Sequence, residues 1–385
     1  MRILIINPNW KAYSEVWLHR MMNYVASEIV GVACFSPEKK YWKKNVPTFD
    51  LCGPKRSSLG GGLKKLKVFD FLCQTSMQVE FTRFIQKTKP TLIFINFIGP
   101  ALYLKKILIE ADIPIFIHVH GGDIFWNIRN TSTLLPLHSL TYQQEVLDFC
   151  NDVKYLHFIT NSFFSKDQLL IIGIPENKIS VKYFGVQSGS AKRDFNKELK
   201  VLYLGRFVDF KGPDLVLEAF IQACSLGFTG TLTMVGDGEL KSMCMLMALR
   251  SKYAHRISFK NPVSENEATE LFQKADVYTM HNCLGILSHQ AETFGVTIIE
   301  AMAQGTPVIT GKIGGVPEII IDRYNGFLLD PGSVQEHAKA FLFLQNNPEK
   351  LLELSHNCIK TIEKKFLPDF ERTRLFEIFN RSFKS

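Results

Sequence analysis

The sequence predicts an α/β protein made of two doubly wound parallel-sheet domains that face each other across a cleft. Three observations carry this. Short apolar runs rich in Val, Ile, Leu and Phe alternate with helix-length segments along the whole chain, the pattern of parallel strands covered by helices. The length of 385 residues exceeds what one hydrophobic core usually organises. A polar stretch, FGVQSGSAKRDFNKE at 184–198, breaks the alternation near the middle and contains Gly185 and Gly189, a linker composition. The domains are therefore placed at 1–187 and 188–367.

The first half supplies the strand segments RILIINP, VGVACFS, TLIFINF, IPIFIHVHG and LHFITNS. The second supplies KVLYLGRF, TLTMVGDG, RISFKN, DVYTMHN, PVIT and GFLLD. The opening MRILIINPNW has too short an apolar stretch for a signal peptide and reads as the first strand. The longest apolar candidate for a membrane span, 90–104, is broken by Asn96, Gly99 and Pro100 and falls short of the roughly 20 residues required. Eight cysteines without a C-x-x-C pair suggest neither a zinc site nor a disulfide framework, and fit a reduced, cytoplasmic setting.

Charge is unevenly distributed. Residues 1–190 hold 22 Lys and Arg against 14 Asp and Glu, whereas 191–385 hold 23 of each. The excess gathers in KKYWKK (39–44), Lys55-Arg56 and KKLK (64–67), next to Tyr41, Trp42, Leu63 and Leu66. A solvated surface and attraction to an anionic membrane surface or lipid-linked substrate both fit. Nucleic acid is not expected, because no recognised binding motif accompanies the charge.

The stretch AETFGVTIIEAMAQGTPVIT (291–310) carries two acids, Glu292 and Glu300, among apolar residues. On one continuous helix they would stand about 12 Å apart along the axis, too far to act as a pair. Gly295 points instead to an E-T-F-G loop followed by a helix from Val296 to Gln304, closed by Gly305. Ile298, Ala301 and Met302 then form the buried stripe and Glu300 lies on another face. The free amides at the helix start suit a phosphate. One acid precedes this anion site and one follows it, as sugar and ribose hydroxyls flank the diphosphate of a nucleotide-sugar.

The segment E-T-F-G-V-T-I-I-E-A-M-A-Q-G-T-P-V resembles the E-x7-E signature of retaining glycosyltransferases of family 4. LGRFVDFKG (204–212), VGDGEL (235–240) and GGVPEIIIDRYNGFLLDPG (314–332) resemble further segments of that family, in the same order and spacing. The resemblance implies the GT-B fold and a nucleotide-diphosphate sugar donor, a UDP-sugar ahead of a GDP-sugar. It implies His120, Glu292, Arg206 and Lys211 as catalytic residues, with Arg206 and Lys211 on the diphosphate. Gly205, Gly236, Phe294, Gly295, Val296, Thr297 and Glu300 would bind the donor, Glu292 taking sugar hydroxyls and Glu300 the ribose. The last segment, about 368–385, would pack back on the first domain.

The residue types agree with that chemistry. Breaking a sugar–phosphate bond leaves negative charge on the departing diphosphate, and stabilising it is where most catalysis arises. No D-x-D pair is present for a divalent metal on the donor. Charge-assisted hydrogen bonds contribute on the order of 1.5 to 3 kcal/mol each, so Arg206, Lys211 and the helix start can stand in for an ion. The expectation is a metal-independent enzyme with no cofactor. His118 and His120 share one face of their strand, but two imidazoles without a third ligand do not make a metal site.

Several departures from the family pattern stand out. The first loop, NPNWKAYSEVW (7–17), lacks the usual Gly-Gly pair, which leaves Asn9, Lys11 and Ser14, with Asp123, as candidates for acceptor or cleft contacts. His281-Asn282 replaces the usual Pro-Ser, and Lys260-Asn261 stands where a glycine is common. The function predicted is transfer of a sugar, with retention, to a saccharide or lipid-linked acceptor in bacterial surface polysaccharide synthesis, at the inner face of the membrane. A nucleotide-sugar epimerase of the same fold and a non-catalytic partner subunit are the alternatives. A nicotinamide enzyme fits less well, since no G-x-G-x-x-G follows either first strand.

Overall fold

A computed structural model describes residues 1–8, 16–35, 46–52, 67–129, 133, 141–190, 195 and 198–381. Asn9, Lys11, Ser14 and most of the three basic stretches lie outside the described residues.

The first domain holds β1 (Ile3–Asn7), α1 (Val16–Tyr24), β2 (Ile29–Cys34), β3 (Thr48–Asp50), α2 (Lys67–Thr88), β4 (Leu92–Asn96), α3 (Ile98–Tyr103), α4 (Lys105–Glu110), β5 (Ile115–His118), α5 (Tyr142–Asp152), β6 (Leu156–Thr160), α6 (Phe163–Ile171) and β7 (Ile179–Val181). The second holds β8 (Lys200–Leu204), α7 (Pro213–Ser225), β9 (Thr231–Val235), α8 (Lys241–Arg250), β10 (Ile257–Lys260), α9 (Glu265–Lys274), β11 (Val277–Thr279), α10 (Val296–Ala303), β12 (Val308–Gly311), β13 (Gly326–Leu329), α11 (Val334–Asn346) and α12 (Pro348–Lys365). The chain ends in α13 (Pro368–Arg381).

Strand order is β3-β2-β1-β4-β5-β6-β7 in one sheet and β10-β9-β8-β11-β12-β13 in the other. Neighbouring strands run parallel. Every residue of β1, β4 and β5 is buried, because helices cover both faces; hence these strands read as unbroken apolar runs. The edge strand β10 alternates half-buried and exposed residues instead. The order reverses between β1 and β4 in the first sheet and between β8 and β11 in the second. Ligands of open α/β sheets sit at such reversals, beyond the carboxyl ends of the strands.

Each sheet has its own core, and α13 joins the first. Leu375, Ile378 and Phe379 pack with Ile3, Ile5, Leu92 and Phe94. Lys182, just past β7, forms a buried ion pair with Glu371 of α13, whose other oxygen accepts from the Gly185 amide at 2.7 Å. The two strands of chain that pass between the domains run side by side, the Val186 amide donating to the Phe366 carbonyl at 2.8 Å.

Candidate active site

The carboxyl ends of both sheets open onto one cleft of about 1200 Å³. Gly205 and Arg206 follow β8, and the loop carrying Glu292 follows β11, so the reversal in the second sheet is where the predicted residues meet. His120, Gly205, Arg206, Lys211, Gly236, Glu292, Phe294, Gly295, Val296, Thr297 and Glu300 all line the cleft.

Lys211 and Arg206 sit over the same ring. The Arg206 guanidinium lies 5.4 Å and the Lys211 ammonium 5.7 Å from the centroid of Phe210. Lys211 also donates to the Glu292 carboxylate, so one cation is held between a ring and an acid. Gly236 has φ of 139°, and a Cβ there would stand 1.9 Å from the Gly205 carbonyl oxygen. Only glycine permits the loop after β9 to approach the β8 loop this closely.

Helix α10 starts as the sequence predicts. Gly295 is its N-cap with φ of 104°, and the helical ladder opens with the Ile298 and Ile299 amides on the Gly295 carbonyl. The amides of Val296 and Thr297 precede that ladder and lie in the cleft wall, the geometry of an anion site. Ile298, Ala301 and Met302 are buried.

Three placements differ from the simple picture of side chains pointing at a donor. Phe294 is 1% exposed; its ring packs on Tyr183, Phe184 and Phe366 at 5.5 to 5.9 Å between the domains, so only its backbone serves the loop. Glu300 is engaged by Arg20 of α1, whose Nη2 donates to Oε1 at 2.5 Å. Asp123 is buried beneath the cleft wall, where its carboxylate accepts from the amides of Ile98, His120 and Gly121 at 3.0 to 3.2 Å. It shapes the His120 loop from below because three backbone donors converge there.

His120 has a defined tautomer. Asn96 Nδ2 donates to Asn7 Oδ1 at 2.7 Å, which turns Asn96 Oδ1 toward His120 Nε2 at 3.1 Å. An amide oxygen only accepts, so Nε2 carries the proton and Nδ1 is bare. Nδ1 has no partner among the described residues. Burial, and then the nearby Lys182 charge, hold the imidazole well below its ordinary range, so it is neutral at pH 7. Trp17 packs on this ring at 4.1 Å and Phe97 at 4.6 Å. Thr293 Oγ1 reaches the His120 carbonyl at 3.4 Å from the second domain.

Sequence reasoning missed Trp17, Arg20, Asn96 and Thr293. Trp17, Arg20 and Tyr24 recur at helical spacing in SEVWLHRMMNY and line the cleft, while Leu18, Met21, Met22 and Val25 make the buried stripe. That second stripe was the available signal. Among the described residues, no three His, Cys, Asp or Glu side chains gather as a metal site, and seven free cysteines are seen.

Two parallel-sheet domains with the cleft between them match solved structures over their full length. HepE of Anabaena in complex with UDP superposes with a TM-score of 0.75 over 99% of this chain and 100% of that one, at 18% identity. A glycosyltransferase of Rickettsia africae gives a TM-score of 0.77 over 100% and 99%, at 16% identity. The fold is GT-B. Residues 189–365, most of the second domain, match the family model of glycosyl transferases group 1. An uncharacterised glycosyltransferase of Methanocaldococcus jannaschii is 26% identical over 71% of this chain and 77% of its own. A D-inositol 3-phosphate glycosyltransferase of Segniliparus rotundus is 30% identical over 40% of this chain and 34% of its own. The amylovoran biosynthesis glycosyltransferase AmsK of Erwinia amylovora is 23% identical over 56% and 53%. The latter two matches thus span about a third to a half of the relatives' length.

Proposed function

We propose that this GT-B protein transfers a sugar from a UDP-sugar to a saccharide acceptor with retention at the anomeric carbon, without a metal ion. The observation that carries it is the convergence of Arg206, Lys211 and the open start of α10 on one side of the cleft, with His120 lining it from the other domain. Structures of HepE hold UDP and UDP-glucose, which supports the donor class. In the reaction the C1–O bond to the diphosphate breaks and its electron pair leaves with the diphosphate. The acceptor oxygen bonds to C1 on the same face, and its proton passes to a departing diphosphate oxygen.

Arg206, Lys211 and the amides of Val296 and Thr297 offset the charge that develops on that group. Glu292, held by Lys211, accepts from donor-sugar hydroxyls, and His120 lines the cleft on the other side. Glu300 accepts from the ribose. The acceptor is a lipid-carried saccharide; the basic excess of residues 1–190 supports it, as does the AmsK relative of a polysaccharide pathway. The protein would work at the inner face of the membrane. No helix among the described residues is long and apolar enough to cross a bilayer.

The test is transfer from a panel of UDP-sugars in the presence of EDTA, with the anomeric configuration of product read by NMR. Activity persists, the configuration is retained, and Lys211→Ala lowers kcat by about 100- to 1000-fold, the loss typical of a removed charge-stabilising donor. Inversion, a strict need for added Mg²⁺, or a Lys211→Ala variant with full activity overturns the reading.

A further inference from the structure

Helix α1 of the first domain carries Arg20 into the cleft between two acids of the second. Its Nη2 donates to Glu300 Oε1 at 2.5 Å, and its Nη1 lies 3.8 Å from Glu265 Oε1. The side chains of Arg20 and Glu300 are each 23% exposed, so this pair is screened less than a surface pair. The described hydrogen bond to Glu300 uses Oε1, and Glu300 lines the cleft. Arg20 Nε is buried and has no partner among the described residues.

A carboxylate that receives ribose hydroxyls must be ionised and fixed in orientation. Removal from water works against this. Burial pushes the Glu300 carboxyl up from its ordinary range, and Arg20 opposes the shift by charge and hydrogen bond. Among the described residues, the other titratable groups facing the pair are Glu265 from α9, Tyr278 from β11 and Tyr24 on α1, none of them a cation.

We propose that Arg20 is a positioning residue for the donor nucleoside: from the opposite domain it aims the Glu300 carboxylate and supplies its counter-charge. Nucleoside recognition then requires both domains together, although the hydroxyl-binding acid belongs to only one. This rests on the assignment of Glu300 to the ribose.

Calorimetric binding of UDP to the full chain between pH 5.5 and 8 tests it, using wild type, Arg20→Met, Arg20→Lys and Glu300→Gln. Arg20→Met binds UDP about tenfold more weakly at pH 7, and its affinity falls further as pH drops, because the carboxyl without its counter-charge takes up a proton at higher pH. Arg20→Lys restores most of the affinity and flattens the profile. Glu300→Gln is weak at every pH. An Arg20→Met protein with wild-type affinity and profile, beside a weak Glu300→Gln, overturns the role of Arg20 and leaves the ribose assignment standing. A uniform loss in Arg20→Met that Arg20→Lys does not rescue also overturns it. Glu300→Gln binding as wild type does overturns the ribose assignment itself. Should thermal melts show Arg20→Met unfolded, Arg20→Gln takes its place in the same comparison.

Discussion

His281 and His337 form a buried relay behind Lys211 whose proton positions are set by its ends. The Gly332 amide donates to His281 Nε2 at 2.8 Å, so His281 Nδ1 holds the proton and donates to His337 Nδ1 at 2.9 Å. His337 Nε2 in turn donates to Thr279 Oγ1 at 2.7 Å. One more proton on either ring opposes an N–H with an N–H. Burial lowers His281 to about 4, and burial with the neighbouring imidazole lowers His337 well below its usual range. A group whose folded-state value is depressed contributes its stability above the unfolded value near 6.5 and loses it as pH falls toward the folded one. Stability is therefore lost as pH falls from about 6.5 toward 4. Urea midpoints measured from pH 7 to 4.5 will fall across this window in wild type and fall less in a His281→Gln, His337→Leu double variant; parallel curves refute the relay as the source. The His281 amide donates to the Lys211 carbonyl at 3.2 Å, so the relay lies directly behind the loop that presents Lys211.

At the scale of the element, α10 shows what a residue pattern can announce. Gly295, the apolar triad of Ile298, Ala301 and Met302, and Gly305 were enough to place start, buried face and stop, since each reports a local backbone or burial demand. Substituting Gly295→Ala puts a side chain at φ of 104°, with its Cβ 2.7 Å from Ile298 Cδ1. The expected cost is about 1–3 kcal/mol, together with weaker UDP binding as the amides of Val296 and Thr297 shift; an unchanged urea midpoint would sink this. The strands read from apolar runs are present because a buried parallel strand writes its whole length in Val, Ile, Leu and Phe. Strands β3 and β7 were not read, being three residues long and bounded by polar or mixed sequence. Of the site, Arg206 and Lys211, proposed for the diphosphate, were legible because they follow a strand of the second sheet within a recurring motif. Arg20 was not, because its meaning comes from the packing of one domain against the other; Trp17 and the Asn96–Asn7 pair were not, because they meet His120 only once the first domain has assembled. Phe294 shows the converse: its place in the motif suggested a ligand contact, and the ring is spent on packing against Tyr183, Phe184 and Phe366.

Across the whole molecule, the loop from Glu292 to Gly295 and the domain boundary are one structure. Phe294, two residues after Glu292, belongs to the aromatic cluster where both interdomain passages meet, so a movement of one domain is felt at the loop that would hold the donor. Glu318 of the second domain ties this arrangement from the far side. Its carboxylate accepts from the amides of Phe163 and Phe164 at 2.9 Å each, capping α6 of the first domain, and from the Tyr183 hydroxyl at 2.9 Å. An acid at a helix start satisfies orphan amides and complements the dipole, and here the helix lies in the other domain. Glu318→Ala removes three interdomain hydrogen bonds while leaving both sheets and their cores intact. The variant should therefore keep its helical circular dichroism but scatter X-rays as a more open particle, with a larger radius of gyration than wild type. Saturating UDP should bring the radius back toward the wild-type value, because a ligand that favours the closed state shifts the population by its differential affinity. Its UDP affinity should fall by the fraction of closed molecules lost. Identical scattering curves for the two unliganded proteins would mean that the remaining contacts, among them the Arg20–Glu300 pair and the apolar contact of Phe125, Ile128 and Ala291, hold the domains without Glu318.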